Sequence, residues 1–381
     1  MNVEERHKAF ILFPDTWLSY SPSIINLAKV MIECGWQVTV VAFHDGSYHK
    51  TDEIDVSYVV PSRAMRKFVG VLKLFSVYRF FALSFRAFQL RNEGFELVIG
   101  VDSLGYLITR LFFSRPIYFS LHIRRTLSAF LCKKLKIDRM IIQTPERLEL
   151  NFGDCGYKPT DVWYIQNSPI LDRNRRPPVR RERKPFRVIY FGNVAKNHYG
   201  IENCIELLGH VPDDVTLTLK GPVTPEYRSE LEADYAGFVS SGRLSFDSEY
   251  VAQDQVIAWL EGFDLGLCFY DEGEIRRADP NIISAPSGKL FNYLAAGLPV
   301  IGSKLPGLRI IPEFCAGILL EGQDPKAIAE TVMEIRGSYD EFRQGCGRAA
   351  MESDFRAMAE RFLSAFAQAD ATGEPDRPGA L

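Results

Sequence analysis

The feature that most constrains this chain is a repeated rhythm. Short apolar runs of strand length are each followed by an amphipathic segment long enough for a helix, and then by another apolar run. Residues 9–13, 37–43, 97–101, 117–121 and 140–143 are such runs in the first half, and 187–191, 215–219, 244–246, 265–269, 299–302 and 317–320 in the second. Strands covered on both faces are apolar throughout rather than alternating, so the rhythm predicts parallel sheets with helices on both sides. Ser21 before Pro22 supplies the N-cap and first-turn proline of the first helix, and Gly35 supplies its stop.

The two series are separated by LDRNRRPPVRRERKP, residues 171–185, where seven Lys/Arg and two adjacent prolines have the composition of an exposed linker. At 381 residues the chain is longer than one core usually supports. The pattern therefore predicts an α/β protein with a Rossmann-like domain over residues 1–170, a basic linker over 171–186, a second Rossmann-like domain over 187–365, and a disordered tail over 370–381. A helix-length stretch near residues 354–367 fits either domain by pattern alone. Two doubly wound domains joined by a hinge are expected to face each other across a cleft at the carboxyl ends of their strands, where open α/β sheets bind ligands.

Hydrophobic residues make up 46% and charged residues 24%, which excludes a fibrous or largely disordered chain. The net charge of −3 conceals a split: residues 1–150 hold 20 Lys/Arg against 14 Asp/Glu, and the remainder 25 against 34. A basic first lobe suits an anionic partner such as a membrane surface or an acidic glycan, although solvated surface charge produces the same count. No recognition motif for nucleic acid accompanies the charge, so nucleic acid is not expected as a partner. Seven scattered cysteines, none in a C-x-x-C pair, indicate neither a disulfide framework nor a zinc site. No bound metal and no cofactor are expected. The N-terminus has no apolar signal core, and no apolar run reaches the roughly 20 residues of a membrane span. A cytoplasmic location is expected, at most peripheral on the inner face of the cell membrane.

Peripheral attachment is suggested by residues 63–91, which carry seven Lys/Arg, no acid and seven aromatic residues. Basic charge interleaved with aromatics on a helix suits the headgroup region of an anionic membrane, with Arg66, Lys67, Lys73 and Phe75 as expected contacts. The basic positions do not share one helical face, so an ordinary core helix fits part of this segment equally well.

The most informative stretch is APSGKLFNYLAAGLPVIGS, residues 285–303. Leu290, Phe291, Leu294 and Ala295 lie on one face of a helix that starts near Ser287 and stops at Gly297. The free N–H groups of Ser287, Gly288 and Lys289, with the helix dipole, make a site for a diphosphate, although many such helices bind nothing.

With FDLGLCFY (263–270) before it, LPGL (305–308) after it and VIYFGN (188–193) at the start of the domain, this segment resembles the donor domain of family-4-like GT-B glycosyltransferases. The likeness covers most of residues 187–365 and extends more weakly to residues 24–41, IINLAKVMIECGWQVTVV. It implies a GT-B enzyme that holds a nucleotide-diphosphate sugar on its C-terminal domain and a glycan or lipid-linked acceptor on its N-terminal one, in the synthesis of a cell-surface polysaccharide or glycoconjugate. It further implies retention of the anomeric configuration without a metal.

Two departures from the family pattern stand out. The family's paired glutamates are replaced by Ser284 and Asn292, and Asn292 can hydrogen-bond a ribose but supplies no charge. The family's phosphate-gripping glycine, arginine and lysine correspond to Gly192, Asn193 and either Lys196 or His198. Lys220, at the end of the next strand, is a candidate second cation. Lys196 and a cleft histidine matched by His122 are the expected catalytic residues, with Arg124 nearby. Asp102 and the acidic run near Asp271 are further carboxylates at strand ends. The loop Asp15–Tyr20 lacks the family's paired glycines, which leaves the acceptor side unspecified. The asparagines at 193 and 292 also suit a catalytically weak scaffold subunit of a polysaccharide assembly complex.

Overall fold

The computed structural model describes residues 7–63, 65, 74–121, 134, 137–153, 159–172, 185–196, 199–270, 273, 280–284 and 287–372. The chain forms two compact units, one of residues 1–170 with 355–381 and one of residues 171–354.

The first unit is built on a seven-stranded parallel sheet. Its strands are β1 (Lys8–Phe13), β2 (Gln37–Phe43), β3 (Val56–Val59), β4 (Leu97–Val101), β5 (Ile117–Phe119), β6 (Arg139–Ile142) and β7 (Asp161–Tyr164), in the spatial order β3-β2-β1-β4-β5-β6-β7. β1 lies at the centre, with Ala9 opposite Val38 of β2 and Leu97 of β4, and residues 9–13 are wholly buried. The edge strands β3 and β7 pair with a neighbour on one side only and are mostly half-buried. Four helices of this unit are α1 (Pro22–Glu33), α2 (Phe75–Leu90), α3 (Asp102–Phe112) and α4 (Pro145–Phe152).

The second unit has six parallel strands: β8 (Phe186–Phe191), β9 (Val215–Lys220), β10 (Leu244–Asp247), β11 (Leu265–Cys268), β12 (Val300–Ser303) and β13 (Gly317–Leu320). Their spatial order, β10-β9-β8-β11-β12-β13, is the 3-2-1-4-5-6 order of a doubly wound dinucleotide fold. The order reverses between β8 and β11, and the crevice at that point is where such sheets bind ligands. The helices are α5 (Ile201–Glu206), α6 (Pro225–Asp234), α7 (Ala236–Ser240), α8 (Val256–Leu260), α9 (Pro280–Ile283), α10 (Gly288–Ala295), α11 (Ile310–Glu313), α12 (Pro325–Gly337) and α13 (Tyr339–Glu352).

The last helix, α14 (Phe355–Thr372), packs on the first unit and not on the second, where the sequence pattern extended the domain to residue 365. Its buried Phe355, Met358, Ala359, Phe362 and Phe366 join the core that includes α1, and Phe362 meets Trp163 edge-on at 5.1 Å. An amphipathic helix declares that it has a buried face, but not which sheet will cover it. The helix also takes in residues 370–372, the first three of the expected disordered tail. The central part of the expected linker, residues 173–184, lies outside the described residues.

Candidate functional site

At the carboxyl edge of the second sheet, two strand ends meet through glycines. Gly192 follows β8 at φ +151° and Gly221 follows β9 at φ +142°, conformations that side-chain-bearing residues rarely adopt. The Gly192 amide donates to the Lys220 carbonyl at 2.9 Å, and a Cβ on Gly221 would overlap the Gly192 carbonyl. The outcome is a bare backbone floor beside the point where the strand order reverses.

The N-terminus of α10 is set against this floor by a buried tyrosine. The Tyr293 hydroxyl accepts from the Phe191 amide at 2.7 Å and donates to the Leu267 carbonyl at 3.3 Å, which ties the helix to both β8 and β11. Ser287 caps the helix with extended backbone geometry and no side-chain capping bond. The amides of Gly288 and Lys289, in the first turn, have no intrahelical acceptor and are available to an anion.

The Lys289 side chain turns back over the same floor. Its ammonium lies 3.8 Å from the point where a side chain on Gly192 would begin, and it faces the rings of Tyr190 at 4.6 Å, Tyr199 at 4.9 Å and Tyr270 at 5.5 Å. Among the described residues it has no hydrogen bond and no carboxylate partner. Burial among the rings lowers its pKa from the ordinary lysine value. Tyr199 is held at φ +62°, a left-handed conformation uncommon for a residue with a Cβ, and such strain tends to collect where geometry serves a ligand.

The other two expected cations are already engaged within the unit. Lys220 is buried, bonded to the Asp247 carboxylate and the Glu249 carbonyl at 2.6 Å each, with its ammonium 4.9 Å from the Trp259 ring. Lys220, the candidate second cation, therefore has its charge paired within the unit. Lys196 is exposed and bonded to Glu230, and that bond raises its pKa. Asn193 is exposed and its carbonyl accepts from the Tyr190 hydroxyl at 3.0 Å, so its contribution to the floor is backbone. Asn292, one turn after Gly288, is 9% exposed, and its amide has no hydrogen-bond partner among the described residues. Ser284 is wholly buried.

No protein-family model matches the chain, and no curated protein matches it either. Solved structures do. The Anabaena protein HepE, in complex with UDP and glucose, is 14% identical, with 95% of this chain and 100% of that one aligned at a TM-score of 0.65. A glycosyltransferase from Rickettsia africae is 12% identical over 96% and 98% of the two chains, with a TM-score of 0.66. The pneumococcal O-GlcNAc transferase GtfA, in complex with UDP and GlcNAc, is 10% identical over 96% and 99%, with a TM-score of 0.65. The chain has the GT-B fold.

Within this GT-B chain, the carboxyl edge of the first sheet carries its own polar cluster. Asp102 opens α3 at φ +50°, and its carboxylate accepts from the Leu121 amide at 2.8 Å. The guanidinium of Arg147, in the first turn of α4, donates to the Gln143 side chain and the Leu121 carbonyl, and burial lowers its pKa to about 10. Asp15, in the loop after β1, pairs with Arg79 of α2 at 2.7 Å. His122 and Arg124 lie outside the described residues, as do His198, Asp271, Arg66, Lys67 and Lys73. Phe75, the remaining expected membrane contact, is half-buried and packs edge-on against the buried Phe43 at 5.6 Å.

Sequence reasoning thus named Lys289 for its backbone and missed its side chain, along with the tyrosine box. Tyr190 lies within β8, Tyr199 sits in a loop and Tyr270 follows β11. Nothing in the periodicity of those segments relates them to residue 289.

Proposed function

We propose that this chain is a glycosyltransferase that moves a sugar from a uridine-diphosphate sugar to a glycan or lipid-linked acceptor. The observation that carries the reading is the meeting of the Lys289 ammonium, the α10 N-terminus and the Gly192 floor at the point where the strand order reverses. Support for the nucleotide comes from HepE and GtfA, whose structures hold UDP.

Breaking the bond between the anomeric carbon and the diphosphate gathers charge on the phosphate oxygens. Groups that meet this charge lower the barrier because they bind the transition state more strongly than the substrate. Lys289 and the amides of Gly288 and Lys289 form that apparatus, and Asn292 offers its amide to a ribose hydroxyl. In this proposal the leaving phosphate takes the proton of the acceptor hydroxyl, the anomeric configuration is retained and no metal participates. By the resemblance, His122 is the candidate for a donor-sugar contact and Lys196 for a charge on the departing diphosphate. The product belongs to a cell-surface polysaccharide or glycoconjugate assembled on the cytoplasmic side of the membrane.

Thermal shifts with UDP, GDP, ADP and CMP test the nucleotide. Ligand at 100 times its Kd stabilises the native state by about 2.7 kcal/mol, so UDP should raise the melting temperature clearly above the other three. No shift with any of them overturns the reading. Acceptor-dependent turnover of UDP-glucose or UDP-GlcNAc, followed by NMR of the anomeric proton, tests transfer and retention. The asparagines at 193 and 292 favour a second reading, a scaffold subunit, which predicts nucleotide binding without turnover of any donor.

A further inference from the structure

We propose that the outer face of α2 docks onto an anionic lipid bilayer. The helix buries Leu83 and Ala87 against the sheet, while Leu74 just before it and Val77, Phe81, Phe85 and Phe88 within it are 44–64% exposed. At about 100° per residue these five positions fall within an arc of about 80°, so they form one continuous stripe and not scattered exposures. Leu111 of the neighbouring α3, 57% exposed, extends the patch, and Phe112 of α3 meets Phe88 edge-on at 5.9 Å. Apolar surface that is contiguous and this aromatic marks an interaction site.

The charge around the patch identifies what covers it. From residue 56 to residue 92 the chain has seven Lys/Arg and no Asp or Glu. Among the described residues, Arg91 stacks its guanidinium 3.6 Å from the Phe88 ring centre, and the exposed Arg110 lies next to Leu111. Phenylalanines that enter the acyl boundary while arginines stay at headgroup level match an anionic bilayer surface. A second copy of the chain would set like charge against like charge across the same stripe. No described helix is long and apolar enough to cross a membrane, so the contact is one of lying on the surface. The ion pair from Arg79 to Asp15 ties the N-terminal half of α2 to the loop after β1, at the ligand-binding edge of the first sheet. A bilayer held on this face brings a membrane-borne acceptor to that edge.

This inference does not depend on the donor-site reading, and one experiment separates the two. The full chain is floated with vesicles of about 30 mol % phosphatidylglycerol in phosphatidylcholine and with phosphatidylcholine alone, and UDP binding is measured on the same samples. Recovery should be selective for the anionic vesicles and should fall with added salt. Phe81→Ser with Phe85→Ser should lower the bound-to-free ratio by about tenfold or more, and Arg91→Gln with Arg110→Gln by about fivefold per charge, with melting temperature and UDP affinity unchanged. Equal recovery of the wild type and the phenylalanine variant overturns the proposal. So does a dimer in solution that this variant abolishes when vesicles recover nothing. Loss of UDP binding with flotation intact would sink the donor-site reading alone.

Discussion

Replacing Lys289 by methionine separates a ligand-binding cation from a structural one, because the two roles predict opposite changes in stability. The ammonium faces three tyrosine rings and has no carboxylate beside it. Removing it forfeits cation–π attraction of about 0.5–2 kcal/mol but relieves the larger desolvation of a half-buried charge. Methionine keeps the length and packs against aromatic rings. The melting temperature of the free protein should therefore hold or rise. Binding should move the other way: two unit charges about 4 Å apart interact by about 4 kcal/mol at an effective dielectric of about 20, and rehydration of the phosphate returns roughly half of that. The net loss of about 2 kcal/mol is roughly a thirtyfold weaker Kd for UDP. Lys220→Met supplies the contrast, since it strands Asp247 beside a buried apolar chain and should lower stability by about 2 kcal/mol. Calorimetric titration with UDP and thermal denaturation without it read both quantities. An unchanged Kd in Lys289→Met would refute the assignment, and a fall in melting temperature as large as that of Lys220→Met would recast Lys289 as structural.

The remaining predictions concern the same edge of the sheet. Because burial lowers the Lys289 pKa, its charge is lost at lower pH than that of an exposed lysine, whereas a bound diphosphate favours the protonated form. UDP affinity should thus decline on the alkaline side, beginning below the ordinary lysine value, with proton uptake on binding; calorimetry in buffers of differing ionisation enthalpy measures this, and an alkaline limb retained by Lys289→Met contradicts it. Asn292→Leu removes an amide that has no hydrogen-bond partner among the described residues, so it should weaken UDP by about tenfold, leave pyrophosphate affinity unchanged and not lower the melting temperature. Gly221→Ala introduces a Cβ onto the Gly192 carbonyl at a strained φ and should cost about 3 kcal/mol or more, read by chemical denaturation; a loss under about 1 kcal/mol would mean the two strand ends are not packed as described.

Much of the scaffold was legible from residue patterns because burial on both faces of a sheet writes itself as continuous apolar runs. The limits of β2 and β4 coincide with runs read directly from the sequence, and α10 begins after Ser287 and ends before Gly297 as its capping residues dictate. The edge strands β3 and β7 escaped because they are short and mostly half-buried, and the home of α14 escaped because an amphipathic face does not name its partner. The exposed apolar stripe of α2 escaped in a different way. The composition of residues 63–91 is visible in the sequence, but only packing against the sheet decides which aromatics of such a helix stay outside: it half-buries Phe75 and leaves Phe81 and Phe85 exposed.

At the candidate site the sequence by itself determined the residue types and their strands: Gly192 and Lys220 at adjacent strand ends, and Ser287, Gly288 and Lys289 at a helix start. Which of the cations remains available was decided only by tertiary structure. Lys220 lies between Asp247 and Trp259, Lys196 is bonded to Glu230 across 34 residues of chain, and Lys289 alone of the three faces rings and no carboxylate among the described residues. An ammonium's availability depends on the neighbours that reach it through space, and those neighbours come from segments whose spacing along the chain carries no record of the contact.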